Sequence, residues 1–410
     1  MASLFFVAYG GGHVAMLLPV ALQARRRGHD VVFLGLTTAR AALAQAGLPV
    51  LGFADLWSFA APQARRYGRE LAGQLPAGGT IAHEESEAYL GLSFADLVAE
   101  RGEPAARDAY TRQGRHAFLP VALLQRVLQH HRPDVVIATN SPRSEQAALV
   151  AAGRLGLRSV CAVDLFALQE VRWIGQPGYA DRVCVLNDAV RAMLLEHGRR
   201  DDEVVVTGNP AFDALLDPAV VRAGRQLRHD RGWDDGRCNL LWASQVEPAR
   251  HPFNGEPGDP SLPRRIEQSL RHAVGARDDL RLVVRYHPSE RETFVSAPRV
   301  EHSPPVEPLA HLLHAVDLVV VTASTVGLEA HIAGRPVLSI NCSVFTADAP
   351  YSKMAISTGV DSVEALPAAL LEAVARQRLA SAAPATDATG GGAATGRVLR
   401  VIETLLPAGA

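Results

Sequence analysis

The stretch Arg285-Tyr286-His287-Pro288-Ser289-Glu290 follows the apolar run "LRLVV" and stops it with a histidine and a proline. Proline has no amide proton for a sheet ladder, so the strand ends there and His287 is left at its mouth. Farther on, the strand "DLVVVTAS" gives way to Ser324-Thr325, and the helix that starts there carries Gly327 and Glu329. Hydroxyl side chains beside the free amides of a helix start make an anion site suited to a nucleotide phosphate. A carboxylate one turn on can accept hydrogen bonds from a ribose diol. A plain helix cap with an imperfect capping box explains the same residues without a ligand. His287, Pro288, Ser324, Thr325, Gly327 and Glu329 are expected at one phosphate site because both signals occupy strand ends of βα units. Arg285, two residues before His287, either adds charge there or is a surface arginine with a buried stem. Glu290 receives no role.

A second set lies in the first half. After the strand "SLFFVA" come Gly10, Gly11, Gly12 and His13, where a dinucleotide loop would sit. The pattern is not G-x-G-x-x-G, since residue 15 is alanine, and no acidic residue ends the next strand "VVFLGLTT". A dinucleotide oxidoreductase is disfavoured, while the helix-start amides near Gly11 and Gly12 remain open to an anion or a sugar hydroxyl. His13 is either a polar group at the mouth of a cleft or a histidine with a structural hydrogen bond. In "TNSPRSEQ", Ser144 fits a helix N-cap with Arg143 and Glu145 solvated, or else a substrate contact. Carboxylates available to a general base are Asp164, at another strand end, and Glu84, Glu85, Glu87 and Asp96 in a polar middle region. His13, Asp164 and Glu85 are the catalytic candidates, each with a surface or structural reading beside it.

Placing these residues requires repeated βα units. Strand 3–8, the helix of residues 14–27 closed by three arginines and Gly28, and the strand "DVVFLG" form one. A less regular, polar region at 57–112 interrupts the alternation, which resumes at "PDVVIAT" and reaches "VVVTGNPAFDALLD", where Asn209 marks a hinge or cleft. It starts again at "CNLLWAS", with Ser244 at that strand's end as a second hinge or cleft residue, and closes with "RPVLSIN". The expected fold is α/β, two Rossmann-like doubly wound domains facing a central cleft. Their expected bounds are 1–208 for an acceptor-side domain and 209–390 for a donor domain. A low-complexity run, "ASAAPATDATGGGAATG", is expected as a loop before a C-terminal helix within 391–410 that packs back on the first domain.

Composition narrows the partners. With 410 residues and 48% hydrophobic content there is enough apolar material for two cores. A net charge of −2, with 41 basic and 43 acidic residues spread along the chain, leaves no basic face for nucleic acid. Lys353 is the sole lysine and no P-loop surrounds it, so neither a P-loop nor a Schiff-base lysine is available elsewhere. The four cysteines are scattered without a C-x-x-C, which suggests no zinc site and no disulfide framework. No charged leader and no long apolar span is present, so a cytoplasmic protein is expected, with peripheral membrane contact left open.

The order of G-G-G-H, "VVVTGNPAFDALLD", the His-Pro pair and "ASTVGLEAHIAGRPVLSIN" resembles the GT-B class of nucleotide-sugar glycosyltransferases over most of the chain. The opening looks like that of the peptidoglycan N-acetylglucosaminyltransferase and antibiotic glycosyltransferases. The "HP" and "ST" pairs are similar to motifs of bacterial sialyltransferases, Kdo transferases and CDP-glycerol glycerophosphotransferases, where they hold donor phosphate. This resemblance implies a metal-independent transfer of sugar from a UDP- or CMP-linked donor, with no other cofactor. The acceptor would be a sugar, lipid-linked or small-molecule hydroxyl, in polysaccharide, glycolipid or natural-product glycoside synthesis. The middle "VTGNPAFDALLD" is similar to non-hydrolysing UDP-N-acetylglucosamine 2-epimerases, the alternative activity. That family's T-x-H-R-x-E-N is "WASQVEPARHP" here and its D-S-G-G is "TASTVG", so its catalytic histidine and phosphate loop are replaced. A non-catalytic nucleotide-sugar binder is the third reading, supported by the lack of an obvious base.

Overall fold

The structure is a computed structural model that describes residues 1–76, 81–382 and 393–407. It divides into two compact units: Met1–Ala211 with the C-terminal helix, and a second unit beginning at Phe212.

In the first unit the strands are β1 Ser3–Ala8, β2 Asp30–Gly35, β3 Val50–Leu51, β4 Val135–Thr139, β5 Arg158–Ala162, β6 Arg182–Val185 and β7 Val204–Val206. All pair in parallel in the order β3-β2-β1-β4-β5-β6-β7. The second unit holds β8 Cys238–Ala243, β9 Leu280–Arg285, β10 Val300–His302, β11 Leu318–Val321, β12 Val337–Ile340 and β13 Thr358–Val360. These too are parallel, in the order β10-β9-β8-β11-β12-β13. Each sheet is doubly wound: the chain builds outward from its first strand in one direction, then returns to build in the other. Both faces carry helices, which is why "VVIAT", "LVVV" and "VLSI" are buried at every position and apolar at all but Thr139 and Ser339.

Two departures from the sequence reading have packing causes. Residues 57–112 are not irregular; they form helices Ala64–Ala72, His83–Arg101 and Glu103–Gln113. Their glycines permit a close crossing instead of marking loops. A Cβ on Gly91 would stand 2.4 Å from the Ala64 carbonyl oxygen and 2.8 Å from Gly68 Cα, so the helices 64–72 and 83–101 touch backbone to backbone there. Ser144 is not a cap. The helix Ser144–Leu155 is capped at Arg143, whose φ of 72° turns the chain into it, and Ser144 is its first residue.

The core of the first unit includes Leu4 and Phe6 of β1, Leu17 and Val20 of the helix Gly12–Arg26, and Val398, Leu399 and Ile402 of the terminal helix Ala394–Glu403. The last helix thus completes the apolar layer against the first. Arg27 and Glu403 close the same junction at the surface, at 2.6 Å. Most of the low-complexity run before this helix, from 383 to 392, lies outside the described residues. The second unit has its own core around Trp242, Leu282, Val320 and Leu338. No helix among the described residues is long and apolar enough to cross a membrane.

Ile402 is wholly buried within the first unit's core. Ile402→Ala is expected to lower unfolding free energy by about 2–5 kcal/mol through lost burial and a residual cavity, read by urea denaturation. An effect near zero would show that the terminal helix is peripheral to the fold.

Candidate functional site

Both sheets send their strands out by the carboxyl edge, and ligands of such sheets bind where the winding reverses. In the first unit that point lies between β1 and β4; in the second, between β8 and β11. The two edges are described in turn.

At the first edge, the chain leaves β1 through Tyr9 and enters the helix Gly12–Arg26. Gly10 is required by packing, since a Cβ there would fall 2.0 Å from Thr38 Oγ1. Gly11 has a left-handed φ of 68°, and open space lies above both Gly11 and Gly12. The helix start carries no capping side chain and no acidic residue in its first turn, so its free amides keep their partial positive charge. His13 stands in this turn with Nε2 3.9 Å from Asp164 Oδ2, beyond β5. Its Nδ1 is buried without a partner. At 3.9 Å the His13–Asp164 separation exceeds a hydrogen bond, and Asp164 lies beside the ring as a nearby negative charge.

Asp164 is itself held. Its amide donates to Asn140 Oδ1 at 3.0 Å, its Oδ1 accepts from the Leu165 amide at 2.8 Å, and Asn209 Nδ2 donates to its carbonyl. Asn209, placed in the sequence at a hinge or cleft, uses its other amide atom to accept from Ala211 N at 2.9 Å. It fastens the Asp164 loop to the last residues of the first unit.

Glu85 does not serve as a free base. It is buried, accepts from the amides of Phe53 and Ala54 at 2.5 and 3.0 Å, and pairs with Arg40 at 3.3 Å. Its lone pairs anchor the turn that starts at Phe53. Asp96 is similarly occupied by the Ala122 amide at 2.9 Å, and burial raises its pKa; Glu84 is exposed. Glu145 contradicts the sequence reading most strongly. Instead of lying in solvent it is 1% exposed in the first turn after β4, accepting from the Tyr9 amide at 2.7 Å. Burial pushes its pKa up to about 7, against the lowering effects of its hydrogen bonds and Arg143. Nothing in the sequence marked it except its place just after a strand end.

At the second edge, "HPSE" forms a β-turn closed by the Glu290 amide donating to the His287 carbonyl at 2.8 Å, with Pro288 in the position that proline prefers. Glu290 is its keystone. One carboxylate oxygen accepts from the His287 amide at 2.7 Å, the other from Ser244 Oγ at 2.9 Å and Arg264 Nη2 at 2.8 Å. Ser244 therefore belongs to this network at the end of β8, inside the second unit, and not to a hinge. Ser289 N donates to His287 Nδ1 at 3.1 Å. In the neutral ring the proton then resides on Nε2, so the exposed His287 presents a donor.

β8 separates β9 from β11, so His287 and Ser324 are two strands apart, not on adjoining βα units. Ser324 caps the helix Thr325–Ile332, accepting from Val326 N at 3.4 Å, and Tyr351 Oη donates to its carbonyl at 2.7 Å. Thr325 is exposed at the helix start. Gly327 has a packing duty, for a Cβ would meet Val321 and the Tyr351 ring at 2.9 and 3.0 Å. Arg285 is committed elsewhere: its guanidinium donates to Ser303 Oγ and the carbonyls of Pro304, Pro305 and Glu307 at 2.9–3.2 Å. It shapes the loop beside His287. Glu329 is half-buried, and burial raises its pKa against the pull of Arg285.

Against known families and curated protein sequences the chain has no match. Solved structures do match it. A UDP-GlcNAc 2-epimerase from Neisseria meningitidis, bound to UDP-GlcNAc, aligns over 98% of this chain and 100% of its own at 13% identity and a TM-score of 0.55. MurG of Acinetobacter baumannii aligns over 98% and 99% at 15% identity and TM-score 0.54. The glycotransferase of kitacinnamycin aligns over 99% of each chain at 14% identity and TM-score 0.50. At such identities the likeness is one of fold: the chain has the α/β GT-B fold expected from its sequence.

The raised Glu145 pKa has a definite sign in stability. Its carboxyl loses the proton near its ordinary value of 4.5 when unfolded but near 7 when folded, so native stability falls as pH rises through that window and levels off above it. Glu145→Gln removes the titration. Between pH 4.5 and 7.5 the variant is expected to gain on the native chain by about 2–3 kcal/mol in denaturant unfolding, a parallel pH course for both chains being the contrary result.

Proposed function

We propose that this chain transfers a sugar from a nucleotide-activated donor to an acceptor hydroxyl without a metal ion. The observation that carries the reading is His287: its turn commits Nδ1 to Ser289 N, so Nε2–H is offered as a donor at the sheet edge that also carries the Ser324-capped helix start. Donors of this kind suit the phosphates of a nucleotide and the charge that grows on them as the sugar leaves. Proteins of the same fold bind UDP-sugars, as the Neisseria epimerase bound to UDP-GlcNAc does, which favours a UDP-linked donor over a CMP-linked one.

His13 is assigned the proton of the acceptor hydroxyl and Asp164 its orientation. The acceptor oxygen attacks the anomeric carbon, the bond from that carbon to the donor phosphate breaks, and the proton goes to the His13 imidazole. The imidazolium that results is stabilised by Asp164. The nucleotide leaves with its negative charge facing His287 and the hydroxyls of Ser324 and Thr325.

A 2-epimerase is the second reading, favoured by full-length neighbours of that activity. Two features weigh against it. The T-x-H-R-x-E-N and D-S-G-G stretches are replaced, and Glu247, within the replacement segment, spends its carboxylate on Ser343 Oγ and Val344 N at 2.7 and 2.8 Å. It is a brace for a loop, not a base.

His287→Ala is expected to fold normally and to lower nucleotide release from the active donor by roughly 10²–10³-fold. It should also reduce the thermal stabilisation conferred by UDP, the nucleotide expected to lead a panel with CMP, CDP, GDP and dTDP. His13→Ala should lose turnover by about 10²–10⁴-fold while keeping that stabilisation. Unchanged turnover in either variant overturns its assigned role. Incorporation of solvent deuterium at C2 of UDP-GlcNAc, without an acceptor, would establish the epimerase instead.

A further inference from the structure

The first unit also holds a pocket that the proposed chemistry has not used. It encloses about 560 Å³, its opening to solvent included, among Tyr9, Phe53, Tyr89, Arg115, Arg143 and Glu145. Its walls are largely apolar: Tyr89 stands edge to face on the buried Phe53 at 5.0 Å, and Tyr9 is 37% exposed. Such a surface accommodates the apolar part of a small ligand.

The charge of the pocket is one-sided. Two carboxylates face it and both are spent. Glu85 is held by Arg40 and the amides of Phe53 and Ala54, and Glu145 by the amide of Tyr9, with burial keeping its proton up to about 7. Arg115 and Arg143, by contrast, have no ion-pair partner among the described residues. Both act electrostatically on the Tyr89 phenol, so their fields overlap within the pocket. Arg143 lies over the Tyr9 ring at 5.8 Å, and its φ of 72° is a backbone state that a non-glycine residue keeps only when its surroundings enforce it. Two cations without ion-pair partners stand beside an apolar wall, Arg143 half-buried and Arg115 exposed, and together attract an anion.

We infer that this pocket takes an acceptor whose apolar body lies against Tyr9 and Tyr89 while one anionic group sits between Arg115 and Arg143. The word acceptor rests on the transferase reading; the binding chemistry does not. Nucleotide phosphates are assigned to the second unit, which leaves this pocket for the molecule that receives the sugar.

Calorimetric titration of the full chain with 6-hydroxy-2-naphthoate, its methyl ester and 2-naphthyl phosphate tests the inference. At least one anion is expected to bind about ten-fold or more tightly than the ester, as a charge-assisted pair requires, and the tighter anion identifies the group. Arg115→Gln and Arg143→Gln should each remove most of that preference without changing UDP binding. Arg115 is exposed, so its replacement leaves the fold intact and serves as the decisive variant if Arg143→Gln unfolds. Equal binding of acid, phosphate and ester, or a preference that survives Arg115→Gln, overturns the proposal. Tight anion binding with no sugar transferred to the naphthol hydroxyl supports the pocket and counts against the transferase, so the two fail separately.

Discussion

Parallel pairing makes every strand of a sheet leave by the same edge, and the helices that return the chain cover both faces. Polar chemistry then has only the edges to occupy. In each unit the winding starts from one strand and runs outward both ways, so the first strand and its later neighbour, β1 with β4 and β8 with β11, diverge and leave a gap at the carboxyl edge. His13 and Glu145 flank the first gap; Ser244 and Ser324 flank the second. The apolar character of the strands and the polar character of their ends are two sides of one constraint.

That constraint explains what was legible beforehand. A fully buried parallel strand is apolar at every position, so "PDVVIAT" and "DLVVVTAS" announced both themselves and the functional edge that follows them. The placement of His287 at a strand end and the hydroxyl helix start at Ser324 were legible for this reason. The region 57–112 was not, because Gly68 and Gly91 exist for a helix crossing and carry the same letters as a loop. The spatial neighbourhood of β9 and β11 was also hidden: strand order depends on crossovers, and β8 intervenes.

Carboxylates were the least legible group, since a sequence gives their charge and not their partners. Glu85, Glu145 and Glu290 have equivalent chemistry and three different duties. Glu85 balances Arg40 and closes a turn, Glu290 holds a turn beneath a histidine, and Glu145 has hydrogen bonds but no ion pair among the described residues, so burial outweighs the pull of Arg143 and raises its pKa. Hydrogen-bond geometry separates a brace from a titrating group here, and all three carry their partners from elements distant in sequence.

The two histidines show the same principle with a functional consequence. His287 has Nδ1 occupied by an amide from its own turn, so it is fixed as a donor through Nε2. His13 has the Asp164 carboxylate 3.9 Å from Nε2 and no partner on its buried Nδ1. Identical side chains at the carboxyl edges of two similar sheets thus sit in different surroundings, and the proposed transfer gives them opposite proton roles. Sugar transfer needs both: an acceptor oxygen must lose a proton while a phosphate gains charge. A protein that only bound a nucleotide would need the donor alone.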